Sequence, residues 1–103
     1  MNTSEKKCFR VGIIGLGAIS NNHIRSLKSL DGVELCAICD INPEKIVKKM
    51  VEHALTANTY TDYKEMLAAE RLDAVHILTP HHLHAPMCVY ALEHGVEIGR
   101  AHV

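Results

Sequence analysis

The chain has 103 residues, of which 48% are hydrophobic and 22% charged, and its net charge is −1. This length predicts one domain or part of one, and without a basic excess the chain is not expected to bind nucleic acid. No apolar run approaches the roughly 20 residues of a membrane span. Residues 1–7 lack the apolar core of a signal peptide, so we expect a flexible lead and a cytoplasmic protein.

Apolar segments of two lengths alternate along the chain, as strands and helices do in an α/β protein. Strands are predicted over residues 8–15, 33–40 and 73–80, and a fourth strand opens after Gly95. Thr59-Tyr60 favours a further short extended piece. Helices are predicted over residues 18–30, from Asn42-Pro43 to about Leu55, after Asp62, and from His81 to Gly95.

Amphipathic spacing in the helices predicts which side chains face the core. In the second helix the predicted buried stripe consists of Ile46, Val47, Met50, Val51, Ala54 and Leu55. The predicted solvent-facing side consists of Lys45, Lys48, Lys49 and Glu52. In the other helices we expect Ile24, Leu27, Leu30, Tyr63, Met66, Leu67, Cys88, Ala91 and Leu92 to face inward.

Strands that are apolar on both faces indicate a parallel sheet covered by helices on both sides. The predicted fold is α/β, an incomplete doubly wound parallel sheet of Rossmann-like type with strand order 3-2-1-4. We expect three strands and a short fourth one, with the fourth lying beside the first. Residues 8–97 then form a partial dinucleotide-binding domain.

A glycine-rich turn joins the first strand to the first helix, with the sequence Gly15-Leu16-Gly17-Ala18-Ile19-Ser20. Gly15 permits a sharp turn, and Gly17 lets a pyrophosphate approach the backbone. The free N–H groups of the following helix attract an anion. Because the turn lies between a strand and a helix, the pattern favours dinucleotide binding over a simple tight turn.

An acid, Asp40, ends the second strand, where a carboxylate can accept hydrogen bonds from the adenosine ribose. The same charge repels a 2′-phosphate, and Ile41 rather than an Arg follows it. We therefore expect the cofactor to be NAD, with NADP less favoured. The alternative is that Asp40 only ends a strand.

The cysteines and histidines do not form a recognisable metal site. Cys36 and Cys39 are three apart on a predicted strand, which places them on opposite faces. The run of histidines after residue 80 lies at a turn, where adjacent side chains diverge. No metal is expected. His23 is interpreted as packing or capping, and His76 as a flank of the core.

Three segments together resemble the N-terminal domain of the Gfo/Idh/MocA oxidoreductases, the family of glucose–fructose oxidoreductase and inositol dehydrogenase. They are GLGAISNNHIRSL, CDINPEK and DAVHILTPHHLHAPMCVYALEHG, and the resemblance covers about residues 8–96. It implies an NAD(P)-dependent dehydrogenase that moves a hydride between a carbinol carbon of a sugar, sugar derivative or cyclitol and the nicotinamide. It also implies a homo-oligomer for the full-length protein.

The same resemblance implies cofactor-binding roles for individual residues. Gly15 to Ile19 would hold the pyrophosphate, and Asp40 with Ile41 would lie at the ribose. Leu78, Thr79 and Pro80 would line the cofactor, and His84 would lie near its nicotinamide. The family's catalytic Lys and His and its substrate domain lie beyond the end of this chain, so we expect no catalytic residue here and no activity from these 103 residues. The alternative is a stand-alone nucleotide-binding or NAD-sensing module without catalysis.

The last six residues have a possible origin outside the gene. Residues 98–103 can be encoded by ATC GGA AGA GCA CAC GTC. These codons are identical to the short-read library adapter AGATCGGAAGAGCACACGTC after its first two bases, and the next adapter triplet is a stop. We expect this tail to be adapter-encoded, the alternative being a frameshifted or truncated gene. Sequencing the locus past codon 96 tests this.

Overall fold

A computed structural model describes residues 8–79 and 81–99 of the chain. Pro80, which was predicted to stop a strand, lies outside the described residues, as do the predicted lead at residues 1–7 and residues 100–103 of the predicted tail 98–103. In the described ranges, no helix has both the length and the apolar character needed to cross a membrane. The elements in chain order are β1 Phe9–Ile14, α1 Ser20–Ser29, β2 Val33–Cys39, α2 Pro43–Glu52, β3 Asn58–Tyr60, α3 Tyr63–Ala69, β4 Ala74–Ile77, α4 His81–Glu93 and β5 Glu97–Gly99.

The strands form one parallel sheet in the order β3-β2-β1-β4-β5. This confirms the Rossmann-like α/β fold, and the 3-2-1-4 order holds when Asn58–Tyr60 is counted as the third strand. Two details of the prediction are wrong: the sheet has five strands, and β5 does not lie beside β1. β5 pairs with β4, with Val75 opposite Ile98, because β2 and β4 already occupy both edges of β1.

The sheet separates two hydrophobic cores. On one side, α1 and α2 cover Val11, Ile13 and Ile38 with side chains such as Ile24 and Ile46. On the other side, α3 and α4 cover the sheet with Met66, Leu67, Met87 and Ala91, among others. Helices on both faces explain why the central strands are apolar on both faces.

A bulge in β2 brings both of its cysteines to one face. Val11 pairs with Leu35 but Gly12 pairs with Ala37, so Cys36 is an extra residue in the ladder. Cys36 and Cys39 therefore both pack in the core under α3 and α4, and the expectation that they face opposite ways is wrong. Simple alternation fails because a bulge shifts every residue beyond it by one. Both thiols are reduced and buried.

The buried face of α2 differs from the predicted stripe. Ile46 is 7% exposed and Lys49 only 5%, whereas Val47 and Val51 are 61% and 75% exposed. Positions 46 and 49 are three apart and share a face of the helix, while Val47 lies about 100° further round. The predicted buried stripe is therefore rotated about the helix axis by about one residue, and Lys49 was predicted on the wrong side.

Two other side chains that were predicted to face inward are exposed because of where their helices end or turn. α1 ends at Ser29, and Leu30 takes an extended conformation and is 53% exposed. Leu92 is 60% exposed because α4 turns its neighbour Ala91 to the core.

Asp62 and Gly95, which were predicted to begin and to end a helix, do so in the structure. The Asp62 side chain accepts a hydrogen bond from the N–H of Lys64 and caps α3. Gly95 has φ +76° just beyond α4.

Candidate functional site

The C-terminal ends of the strands open into a cleft of about 860 Å³. This edge is where open parallel sheets bind ligands. Seven of the predicted cofactor-binding residues line it, namely Gly15, Leu16, Gly17, Asp40, Ile41, Leu78 and Thr79. The other lining residues are Ile14, Cys39, Lys45, Thr61, Asp62, Tyr63 and Met87.

The two positions of the turn require glycine for different structural reasons. Gly15 has φ +99°, and a Cβ atom there would lie 2.9 Å from the carbonyl carbon of Leu78. Any larger residue would push the turn away from the end of β4. At Gly17 a Cβ atom would meet nothing within 4 Å and would project into open space. That space, on the floor of the cleft, is where a diphosphate can approach the backbone.

The turn also presents unused hydrogen-bond donors. Ser20 and Asn21 donate their N–H groups back to Gly17 and Ala18, and α1 has no side-chain cap. The N–H groups of Gly17, Ala18 and Ile19 donate to no acceptor within residues 8–79 and 81–99. Donors at the start of a helix favour an anion.

Ser20 stands where the dinucleotide-binding pattern has Gly or Ala, and the structure accommodates it. Its side chain is fully buried, and its hydroxyl donates to the Gly17 carbonyl at 2.6 Å. The extra polar group is therefore satisfied inside the turn. The departure from the pattern leaves the glycine turn intact.

Asp40 is tied directly to the glycine turn. One carboxylate oxygen accepts from the N–H of Leu16 at 2.8 Å, and the other accepts from the N–H of Asn42 at 2.8 Å. A carboxylate has about four acceptor positions, so capacity remains for ribose hydroxyls. The acid thus fixes two loops of the cleft and still faces it. The sequence predicted the residue but not its bond to Leu16.

Four charged or polar residues that line the cleft were not predicted as site residues, namely Lys45, Thr61, Asp62 and Tyr63. Lys45 lies in the first turns of α2, and Asp62 and Tyr63 begin α3. Each follows a strand end, as Asp40 does, and that position in the chain was the available signal. Lys45 adds a cation to the lining of the cleft.

Three predicted residues, Ala18, Ile19 and His84, do not line the cleft within the part of the chain that the structure describes. His84 instead places Nε2 3.0 Å from the Ile77 carbonyl oxygen at the end of β4, and its Nδ1 lies 3.6 Å from the Cys88 sulfur. The nitrogen facing the carbonyl therefore carries the proton. His84 supports the strand end from which Leu78 and Thr79 reach the cleft. Pro80, also predicted here, lies outside the described residues.

The thiol at the floor of the cleft is not a nucleophile at neutral pH. Burial, with smaller contributions from Asp40 and Asp62, raises the pKa of Cys39 to about 12. The thiol therefore stays protonated and behaves as an apolar lining group. Within the described ranges, no three His, Cys, Asp or Glu residues converge as metal ligands.

Two half-buried histidines meet on the α1 side of the sheet. The Nδ1 atoms of His23 and His76 are 3.1 Å apart. One must donate and the other accept, so the two rings cannot both be protonated while the contact holds. Burial, and next His23, lowers the pKa of His76. The pair packs α1 against β4.

Comparison with known proteins agrees with this geometry. The profile of the GFO_IDH_MocA family, described as "Oxidoreductase family, NAD-binding Rossmann fold", matches residues 9–102. "Glycosyl hydrolase family 109 protein 1" of Shewanella sp. (strain MR-4) is 38% identical over 95 residues, covering 84% of this chain and 20% of that protein. A "Glycosyl hydrolase family 109 protein" of Porphyromonas gingivalis is 32% identical over 101 residues, covering 90% and 22%. The chain thus spans about a fifth of the length of these curated relatives.

Solved structures give the same fold. Myo-inositol 2-dehydrogenase from Lactobacillus plantarum superposes with a TM-score of 0.82 at 34% identity, covering 91% of this chain and 28% of that one. The WlbA dehydrogenase from Bordetella pertussis, in complex with NADH and UDP-GlcNAcA, superposes with a TM-score of 0.83 at 30% identity, covering 91% and 29%.

Proposed function

This chain belongs to the Gfo/Idh/MocA oxidoreductase family, and we propose that it is the NAD-binding part of a dehydrogenase acting on a sugar, a sugar derivative or a cyclitol. The observation that carries the proposal is the glycine turn. It combines open space at Gly17 with donors at Gly17, Ala18 and Ile19 that have no acceptor in the described chain. A diphosphate fits both features.

Different residues of the cleft would bind different parts of the cofactor. The turn would hold the diphosphate, and the free acceptor positions of Asp40 would hold the adenosine ribose. Leu78 and Thr79 would line the part of the cleft beside β4. When bound, the nicotinamide supplies the hydride acceptor or donor, and this chain supplies its position.

We propose NAD rather than NADP as the preferred cofactor. A 2′-phosphate on the ribose would place its charge against the carboxylate of Asp40. Lys45 lines the same cleft, and its charge partly offsets this repulsion. The preference should therefore be moderate rather than absolute.

The substrate class follows from the relatives and remains part of the proposal. Solved relatives act on or bind an inositol or a UDP-sugar acid, according to their names. Such polyols offer a secondary carbinol from which a hydride can leave. The substrate-binding residues and the catalytic Lys and His that the family resemblance implies are expected outside this chain, so the 103 residues alone are proposed to be inactive.

A second candidate is favoured by the curated relatives, which are named glycosyl hydrolases. Some glycoside hydrolases depend on NAD instead of the usual pair of carboxylates. On this proposal the same cleft binds the same cofactor, and the net reaction of the longer protein is cleavage of a glycosidic bond. A non-catalytic NAD-sensing module is the remaining alternative, and it too uses this cleft.

Calorimetric titration of the purified chain with NAD and NADP tests the shared core of these proposals. We expect saturable binding of NAD and weaker binding of NADP. An absence of heat and of thermal stabilisation with either dinucleotide would overturn the assignment of the cleft.

A further inference from the structure

Lys49 is a buried cation that the proposed function does not use. It lies on the inner face of α2 and is only 5% exposed. Lysine is almost never this buried without a charged partner. Its nearest carboxylate, Glu52, is 3.5 Å away and its side chain is 43% exposed, so water shares that carboxylate and the charge of Lys49 is only partly compensated.

The ammonium group of Lys49 is directed at the helix that follows the glycine turn. Its Nζ donates to Oδ1 of Asn21 at 2.7 Å. His53 Nε2 lies 3.0 Å from the same oxygen. Burial lowers the pKa of His53, so at neutral pH its ring is uncharged and donates through Nε2. Two donors from the α2 side thus hold one side-chain amide of α1.

Asn21 belongs to the first turn of α1, directly after the residues that carry the unused donors. Its N–H donates to the Ala18 carbonyl at 3.2 Å, which places it one turn from the N–H groups of Gly17 and Ala18. Side chains on a helix tilt toward its N-terminus. Asn21 and Lys49 are not among the described residues that line the cleft. Lys49 therefore contacts the first turn of α1 from behind the proposed diphosphate site, and because Lys49 is only 5% exposed, water screens its charge poorly.

We propose that Lys49 is a positioning residue for the cofactor diphosphate. Its charge raises the potential at the start of α1, and its bond to Asn21 fixes that first turn. The partly compensated cation then gains its missing counter-charge when the dianionic diphosphate binds. This inference rests on the proposed function, because it needs a dinucleotide in the cleft.

A purely structural role would be to pin α2 to α1, and a pair of ligands separates the two roles. NAD carries the diphosphate, whereas adenosine occupies the same cleft without any phosphate. Loss of a charge effect weakens the binding of NAD alone, whereas loss of packing weakens the binding of both ligands. The salt dependence of NAD binding provides a second electrostatic measurement.

The test uses Lys49→Met, which keeps the length of the side chain but removes the charge, and Lys49→Gln, which keeps a donor for Asn21. Replacing a buried ion with an uncharged residue of similar volume is often neutral or stabilising, and thermal melts check that each variant folds. Lys48→Met is the matched control, since Lys48 is exposed and the change in net charge is identical. Calorimetry measures NAD, and ligand-observed NMR measures adenosine.

We expect both Lys49 variants to weaken NAD binding about five- to thirtyfold. We expect them to change the affinity for adenosine by no more than about twofold and to reduce the salt dependence of NAD binding. Lys48→Met should change none of these quantities. Equal weakening of NAD and adenosine, or unchanged NAD affinity, would overturn the inference while leaving the proposed function intact. A wild-type chain that binds no NAD would overturn the proposed function and the inference together.

Discussion

At the scale of single residues, Asp40 connects structure and selectivity. Its two carboxylate oxygens accept hydrogen bonds from the N–H groups of Leu16 and Asn42, so the carboxylate that we propose binds the ribose also fixes the glycine turn. Removing it should therefore change selectivity and stability together. Asp62 is a second acid of the same cleft, but its side chain caps α3 and, among the described residues, makes no hydrogen bond to the glycine turn.

We predict that Asp40→Ser narrows the preference for NAD over NADP. A hydrogen bond to a charged group contributes about 1.5–3 kcal/mol, which corresponds to a ten- to hundredfold preference in the wild type. Asp62→Ser is the matched control, because serine also caps helices and the ratio should stay the same. Titration of both variants with both dinucleotides measures it, and a wild type that binds NADP as tightly as NAD contradicts the role of Asp40.

His76 makes the stability of the fold depend on pH. Its pKa is lowered by burial and by His23 from the ordinary value of 6.5, so below that pH the unfolded chain takes up a proton that the folded chain resists. The free energy of unfolding should fall as the pH drops from about 7 to about 5, and stay level in this respect above about 7.5. His53 contributes in the same direction, because its pKa is also lowered.

We predict that His76→Gln reduces this acid-side loss of stability. Urea unfolding at pH 7 and pH 5 measures the change, and His94→Gln, at an exposed site, serves as the control. If the variant loses as much stability as the wild type between these two pH values, the His76 pKa does not control the pH dependence.

At the scale of elements, the two glycines of the β1–α1 turn are expected to have different roles. Gly15 should matter for the stability of the fold, and Gly17 for cofactor binding. Gly15 has a positive φ and lies against the backbone of Leu78, just beyond β4, whereas Gly17 borders open space. The two positions are only two residues apart in the same turn. They should nevertheless respond in different ways to the same added methyl group.

We predict that Gly15→Ala destabilises the fold, by about 1–3 kcal/mol from the backbone conformation alone. Gly17→Ala should change stability by no more than about 0.5 kcal/mol but weaken NAD about tenfold, because its Cβ occupies the approach of the diphosphate. Denaturant unfolding and NAD titration of the two variants measure both effects. Loss of stability at Gly17, or its absence at Gly15, would contradict this division.

At the scale of the whole molecule, the chain matches an NAD-binding Rossmann domain. It covers 28% of the length of the myo-inositol 2-dehydrogenase chain and 29% of the WlbA dehydrogenase chain. All the lining residues of its cleft come from one sheet edge and the helices that follow it. β5 contributes only three residues, Glu97–Gly99, to the described sheet. We therefore propose NAD binding for this chain and dehydrogenase activity for the longer protein.

We predict that the 103-residue chain binds NAD but oxidises no sugar or cyclitol. General acid–base help is worth about a hundred- to ten-thousandfold in rate, and the family groups that supply it are expected outside this chain. Absorbance at the NADH band, with a panel of inositols and sugars as substrates, measures turnover. NADH formed in proportion to an added substrate would contradict the proposed inactivity.

Local features made much of the fold predictable from the sequence. The glycine turn, the cap at Asp62 and the turn at Gly95 depend on a few adjacent residues, and the structure shows all three in place. The short strand at Thr59-Tyr60 was also found. Asp40 was predicted as a site residue because the end of a parallel strand defines where a ligand can bind, and it lines the cleft.

Tertiary structure decided what depends on neighbouring elements. The bulge at Cys36 arises from the register between β1 and β2, and the place of β5 from the occupied edges of β1. The burial of Lys49 depends on α1 lying against α2 with Asn21 as an acceptor. By itself, the sequence determined the order of the elements and the glycine turn, because these follow from residues close in the chain. The contacts of Asp40, His84 and Lys49 join residues that only packing brings together.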